Sequence, residues 1–375
     1  MTLEHLRPAA ATQQTRLVAA ICLEKLTAEN VGHACLAASP YRAIQAFART
    51  LERDVMTEGK VWVVNASQGT SAPGVQPTRD AGTGTRNISA WPLWFRDGPG
   101  RFEVPLLYLL RSESVAGLRA AIFEAAEHGI LCNDAEATSS RWPKSVQPAV
   151  PLWLASSLNC IPYDPASGQE TLAILRSALQ TLYIDNEPGC FYMALHADDS
   201  EVPISAQTDV QDAYKGMYRI NAASRSRSPA IRLLGAGKAL GTVIRAAGLL
   251  QTDWNIPSEV WSCPSYTRLA REGYAVEHWN TLHPLSPKKT PYIQACLGSE
   301  QSPVLAVTGY ERHIASQIGG FVCARFVAMG ADSDRGVSRS PTAQWIVATA
   351  LKTLGDEGTL SMRHAEQALK RYALI

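Results

Sequence analysis

The sequence predicts an α/β protein made of two parallel-sheet units with helices packed on them. Three observations carry this. Short apolar runs at 104–110 (VPLLYLL) and 191–195 (FYMAL) have the length and composition of buried strands, and 231–234 (IRLL), apolar but for Arg232, reads as a further strand. Such runs alternate with stretches of helical periodicity, the pattern of right-handed βαβ units. Between the two halves, residues 201–229 have the composition of a linker, closing on the polar, basic run Ser224-Arg225-Ser226-Arg227-Ser228-Pro229. The expected organisation is therefore a first domain over 1–200, a linker over 201–229 and a second domain over 230–375.

Composition narrows the function classes. The 375 residues are 46% hydrophobic and 18% charged with a net charge of +1, so nothing electrostatic points to nucleic acid or an anionic membrane. No run of about 18 apolar residues and no basic-then-apolar leader is present, so a cytoplasmic protein is expected. The eight cysteines include no C-x-x-C pair and read as free, mostly buried thiols; no metal site is expected.

In chain order, 15–28 is helical, with Val18, Ile21, Cys22 and Leu26 on one face, and 31–37 is a candidate first strand. Residues 41–51 place Ala43, Ile44, Phe47 and Leu51 on a second amphipathic face. Residues 61–64 read as a strand. The Gly/Thr/Pro-rich stretch 68–86 reads as a surface loop. The strand at 104–110 is followed by a helix over 115–128 and a strand at 129–132. Two prolines in Asn159-Cys160-Ile161-Pro162-Tyr163-Asp164-Pro165 impose an extended, then turned path. A helix over 169–183 carries Leu172, Leu175, Leu179 and Leu182. After Asp185-Asn186-Glu187-Pro188-Gly189 comes the buried strand 191–195. The second unit runs strand 231–234, helix 238–252, strand 259–263, a helical stretch near 266–271, strand 304–308, helix 311–318 and strand 325–329. Helices over 341–354 and 361–372 close the chain, with Ser340 and Ser361 suited to cap them. Gly235-Ala236-Gly237 follows a strand but lacks the third glycine and the acidic residue of a dinucleotide fingerprint.

Four segments in order carry a family resemblance: NC-I-x-Y-D-P at 159–165 with its following helix, Tyr214-Lys215-Gly216-Met217-Tyr218, Ile231-Arg232-Leu233-Leu234-Gly235-Ala236-Gly237, and the run from Glu259-Val260-Trp261-Ser262 to Trp279-Asn280-Thr281-Leu282-His283-Pro284, extended by Pro291-Tyr292-Ile293. From Leu158 onward the chain resembles the homodimeric type of pyruvate dehydrogenase decarboxylase component, a transketolase-like thiamine-diphosphate enzyme. The resemblance implies a pyrimidine-binding-like domain followed by a carboxy-terminal-like domain that holds no cofactor.

The chemistry of that family does not follow in the residues. Its diphosphate domain carries a Gly-Asp-Gly motif; here the nearest string is Gly355-Asp356-Glu357-Gly358. The resemblance implies a Glu that hydrogen-bonds the aminopyrimidine ring, where this chain reads Asp80-Ala81-Gly82-Thr83-Gly84-Thr85; Asp80 is a weak substitute, one methylene shorter. It also implies a His-rich segment, where residues 133–158 contain no His and Glu136 lies too early. Arg141, Trp142 and Lys144 instead form a basic, aromatic patch, a solvated turn or a site for an anionic ligand. The family's Asp-Gly-Phe-Gly-Arg-Ser-Asp run has become Ala331-Asp332-Ser333-Asp334-Arg335-Gly336.

Two readings follow. In one the chain is a beta-like subunit of a split enzyme transferring an acyl or two-carbon ketol unit. An alpha-like chain brings the diphosphate-binding half, thiamine diphosphate and Mg2+ bind only in the shared site, and a lipoyl or carrier-protein domain serves as acceptor. The assembly would be a dimer or heterotetramer. In the other the chain is a pseudoenzyme, a scaffold or regulator that keeps the fold without the catalytic set.

Overall fold

The computed structural model describes residues 12–27, 39–66, 90, 103–138, 140, 142–198, 210–221, 230–299, 301–331, 333–334, 337–338 and 340–375. The strand expected at 31–37, the loop at 68–86 and the Ser224–Pro229 run lie outside them.

The first sheet joins β1 (Trp62–Asn65), β2 (Leu106–Leu110), β3 (Gly129–Asn133), β4 (Cys160–Tyr163) and β5 (Cys190–Ala194) in the order β1-β2-β3-β5-β4. Every pairing is parallel. All five residues of β2, of β3 and of β5 are buried, as continuous apolar runs require. One face is covered by α1 (Gln13–Lys25), α2 (Pro40–Arg53) and α5 (Gly168–Leu179), whose Val18, Phe47 and Leu175 share a core with Ile130 and Phe191. The other is covered by α3 (Val115–Glu124) and α4 (Ala149–Ser156), through Leu118, Val150 and Leu154. The apolar periodicity reads α5 correctly up to Leu179, after which the chain widens into a π-helical turn, Gln180–Ile184. The helix α4 has no counterpart in the sequence expectations, because Pro148 and Pro151 bracket its start; both sit where a helix tolerates a missing N–H.

The second sheet joins β6 (Tyr218–Asn221), β7 (Ile231–Gly235), β8 (Ser258–Ser262), β9 (Val304–Val307) and β10 (Phe326–Met329) in the order β10-β9-β7-β8-β6. It is parallel except for the edge strand β6, which runs antiparallel to β8. Helices α6 (Lys238–Trp254), α10 (Ala343–Asp356) and α11 (Arg363–Arg371) pack on one face. Helices α7 (Tyr266–Leu282), α8 (Tyr292–Leu297) and the short α9 (His313–Ser316) pack on the other. The expectation of two mostly parallel α/β sheets is met.

Three expectations need correction. Within the linker expected over 201–229, residues 210–221 form a 3-10 helix and strand β6, with Ala213 and Met217 fully buried. The polar composition of the flanks hid a strand whose pairing with β8 is long-range. The helix near 266–271 continues to Leu282. The cap of α10 is Thr342, whose hydroxyl accepts from the Trp345 N–H, rather than Ser340; at α11 the N-cap position is Met362, with Ser361 one residue earlier.

The two units are tied backbone to side chain. Arg271 on α7 donates from Nη1 to the Cys160 carbonyl at 2.7 Å and from Nη2 to those of Leu154, Ala155 and Ser157 at 3.0, 3.1 and 2.9 Å. Three of these acceptors lie at the end of α4, where carbonyls run short of i+4 donors. A guanidinium from the second unit thus serves as the C-terminal cap of a helix in the first. Arg271→Ala is expected to lower stability by about 1.5–3 kcal/mol, the scale of hydrogen bonds to a charged donor, as read by urea unfolding, with Arg271→Lys recovering only part of it because one ammonium cannot span four carbonyls.

Candidate functional site

In a parallel α/β sheet, ligand chemistry collects beyond the carboxyl ends of the strands. In the first sheet the residues delivered there are Arg111 after β2, Asn133 and Asp134 at the end of β3, Asp164 after β4 and His196 after β5. The strand periods that bury β2, β3 and β5 end where these polar residues begin, so the fold concentrates titratable groups on one edge.

Two arrangements occupy it. Arg111 meets Asp134 through two parallel hydrogen bonds, Nε to Oδ1 at 2.9 Å and Nη2 to Oδ2 at 3.1 Å. Asn133 braces this corner. Its Oδ1 accepts from the Ser112 and Ala135 N–H groups, and its Nδ2 donates to the Ser112 carbonyl and the Tyr192 hydroxyl. Deeper in, Lys144 places its ammonium 2.5 Å from Glu136 Oε2 and 2.8 Å from Asp164 Oδ1. All three side chains are more than nine-tenths buried. Burial alone would push the Lys144 ammonium down; Asp164 and Glu136 outweigh it and hold its pKa above the ordinary lysine value. Burial raises Glu136, with Lys144 opposing and Asp164 reinforcing the rise.

This ion cluster joins the two units. The Asp164 N–H donates to the Pro264 carbonyl, and the Asp164 carbonyl accepts from the Gly237 N–H at the start of α6. Gly237 has φ +51°, and a Cβ there would lie 2.2 Å from Asp164 Oδ1. The Gly235-Ala236-Gly237 turn therefore brings its helix N-terminus against a carboxylate of the chain itself, an internal anion where a nucleotide phosphate would otherwise sit. The stem of Lys144 crosses Gly309, where a Cβ would meet it at 2.7 Å, and its ammonium lies 5.2 Å from the centre of the Tyr310 ring.

Two more buried groups flank the cluster. Glu170 accepts from the Ala166 N–H, the Tyr218 hydroxyl and the Ser262 hydroxyl at 2.7, 2.7 and 2.6 Å, and burial raises its pKa. His196 is buried with neither ring nitrogen hydrogen-bonded. Burial pulls its pKa down to about 3, with the charges of Lys144 and Lys238 adding to the fall and Asp198 opposing it, so the ring is neutral at pH 7. Beside Asp164 a cavity of about 30 Å³, lined in part by Tyr192, Thr308 and Tyr310, has room for about one water.

The structure sorts the residues singled out in the sequence. Asp80 and Arg141 lie outside the described residues. Trp142 is half-buried. Lys144 is not part of a solvated basic patch: its charge is spent on two buried carboxylates. Glu136, set aside as lying too early, is one of its two partners. Sequence reasoning singled out neither Asp164 nor His196 as a site residue. Asp164 sits inside the quoted NC-I-x-Y-D-P segment; no sequence signal marks the burial of His196. Among the described residues no group of three or more His, Cys, Asp or Glu is arranged to hold a metal ion, and no helix is long and apolar enough to cross a membrane.

The fit of thiamine diphosphate can be judged from these donors. An aminopyrimidine ring wants an uncommitted carboxylate at this edge, but Asp134 is committed to Arg111, and Glu136 and Asp164 to Lys144. Among the described residues the edge does not fit the ring, and the 375 residues contain no Gly-Asp-Gly for the diphosphate.

Comparison with known proteins agrees with the fold. Residues 216–333 match the transketolase-like TK C-terminal domain family. The chain is 36% identical over 228 residues to the pyruvate dehydrogenase E1 component of Cupriavidus necator, covering 58% of this chain and 25% of that protein. It is 31% identical over 234 residues to the one from Pseudomonas aeruginosa, covering 59% and 26%. The chain thus spans about a quarter of the length of these relatives. Among solved structures, a transketolase from Leishmania mexicana superposes with a TM-score of 0.53 at 14% identity, over 90% of this chain and 46% of that one. A split-gene transketolase solved as an inactive beta4 tetramer superposes with a TM-score of 0.51 at 13% identity, over 85% of this chain and 98% of that one. The resemblance to the pyruvate dehydrogenase component and the transketolase-like fold are both borne out.

Lys144→Met leaves Glu136 and Asp164 buried without a counter-charge and is expected to cost about 3–5 kcal/mol at neutral pH. The burial that already raises Glu136 then acts in the folded state without Lys144 to oppose it. The folded form is favoured below the ordinary carboxylate range, near pH 4, and loses that advantage as pH rises. Urea unfolding at a series of pH values should show a deficit that is small near pH 4 and widens towards pH 7. A deficit independent of pH would contradict the ion cluster.

Proposed function

We propose that this chain is the beta-like subunit of a split thiamine-diphosphate enzyme of the pyruvate dehydrogenase/transketolase type, transferring an acyl or two-carbon ketol unit. An alpha-like partner chain supplies the diphosphate-binding half with Mg2+, and a lipoyl or carrier-protein domain is the acceptor. The observation that carries this reading is the overlap of these two α/β units with nearly the whole chain of the split-gene transketolase, whereas the undivided transketolase is covered over only about half its length. Relatedness to pyruvate dehydrogenase E1 components supports the chemistry class.

A second reading, a catalytically inactive scaffold or regulator, draws support from the site itself. Lys144, from the segment where the resembled family carries histidines, is turned inward and neutralised. Asp134 is likewise held by Arg111. In the split-enzyme reading this subunit contributes shape and binding surface, and the partner contributes the reacting groups.

Calorimetric titration of thiamine diphosphate with Mg2+ into the purified chain, alone and mixed with its candidate alpha-like partner, separates the two. The split enzyme predicts heat of binding in the mixture alone. Binding in neither sample supports the scaffold, and binding by the isolated chain overturns the need for a partner.

A further inference from the structure

The end of the first sheet opposite the candidate site holds a pair of thiols that the site does not use. Strands β4 and β5 both begin with a cysteine, and their parallel register pairs Cys160 directly with Cys190. Both side chains enter the core under α3 and α4, and the two thiols hydrogen-bond one another. Two turns fix them there. The Cys190 N–H donates to the Asn159 carbonyl at 2.7 Å, and the Cys160 N–H to that of Ser157 at 3.1 Å. Gly189, at φ +120°, crosses Asn159 so closely that a Cβ would lie 2.9 Å from its carbonyl oxygen. Both cysteines are only 1% exposed, yet each directly follows a surface turn: Leu158 is 82% exposed, and Asn159 and residues 185–188 are exposed as well. The hydrogen bond to Cys160 and burial hold Cys190 well above the ordinary cysteine pKa, with Glu127 adding to the rise and Arg271 opposing it. Cys190 therefore rests as a thiol, inert to weak oxidants.

We propose that Cys160 and Cys190 form a reversible dithiol–disulfide site, closed by hydrogen peroxide and reopened by a small thiol. Neighbouring strands stand about 4.8 Å apart. That spacing falls inside the roughly 4.4–6.8 Å between Cα atoms that a disulfide spans, so the ladder need not rearrange. In the first step one sulfur, as thiolate, gives an electron pair to a peroxide oxygen, which stays on it as the hydroxyl of a sulfenic acid. The O–O bond breaks, and the other oxygen leaves as hydroxide and takes up the proton that the thiol released. In the second step the other sulfur attacks the sulfenic sulfur. The S–S bond forms, the S–O bond breaks, and the attacking thiol's proton leaves with the hydroxide as water. Two thiols lose two electrons in all, and one peroxide becomes two waters. The bond lies where the two units meet, because Arg271 of α7 donates to the Cys160 carbonyl at 2.7 Å. Strand β4 runs from there to Tyr163, and Asp164 of the ion cluster follows. Oxidation therefore stiffens the strand that links the Arg271 cap to the Lys144 cluster. This inference goes beyond the split-enzyme reading and does not depend on it.

The test is peptide mapping of the folded full chain after treatment with hydrogen peroxide, with the remaining thiols alkylated before digestion. Trypsin cleaves after Lys144, Arg176 and Lys215, so Cys160 and Cys190 leave in separate peptides, 145–176 and 177–215, unless they are bridged. The oxidised protein should yield the two peptides joined, two hydrogens lighter than their sum, in a species that dithiothreitol splits. Its thermal unfolding should move up by roughly 3–6 °C and return on reduction. Cys160→Ser and Cys190→Ser should each abolish both effects, with circular dichroism verifying that the variants fold; the wild-type map stands without them. Oxidation of the exposed Cys323 shows in the same map that peroxide has acted. Oxidised Cys323 with the two peptides still separate, either cysteine joined to a different one, or a bridge that leaves thermal unfolding unmoved would each overturn the proposal.

Discussion

One buried ammonium holds the centre of this molecule. Lys144 leaves the first unit, passes over Gly309 and beside Tyr310 of the second, and ends between Glu136 and Asp164. Removing a lysine from water is costly, and only two close carboxylates make the position tenable. Those carboxylates must in turn be carried to the same point, which fixes the short 3-10 turn after β3 and the end of β4. Asp164 then fixes the start of α6, because its backbone binds Gly237 and its carboxylate leaves no room for a side chain there. Sheet, turn and helix are arranged around a charge that is almost wholly buried.

The same constraint shapes the carboxyl edge of the first sheet. Chemistry at the carboxyl ends of parallel strands depends on groups left short of a partner. Among the described residues, Arg111, Asp134, Glu136, Lys144 and Asp164 at that edge have partners from the chain itself, whereas His196 is kept neutral by burial. The transketolase-like fold is present, and the charged groups described at this edge are turned towards each other.

Much of the architecture was legible in the sequence, because continuous apolar runs bounded by Gly, Pro and Asp encode buried parallel strands locally. What was not legible depends on distant residues. Strand β6 is polar and declares itself only by pairing with β8. Helix α4 is masked by its prolines. The end of α7 carries no apolar stripe that would announce its length. The site was read less well than the fold. Lys144 next to Trp142 looks like a surface base until Asp164, twenty residues on, is brought to 2.8 Å from it, and nothing in the residues around His196 foretells its burial.

The Arg271 cap has a consequence for how the molecule opens. A helix terminus in one half and a guanidinium in the other satisfy each other across the junction, so neither can be exposed to solvent without stripping the other. Fraying of α4 and withdrawal of α7 are then a single event. The two halves, distinct as sheets, are tied at this point into one opening unit, because the bonds that hold the end of α4 are the bonds that hold α7.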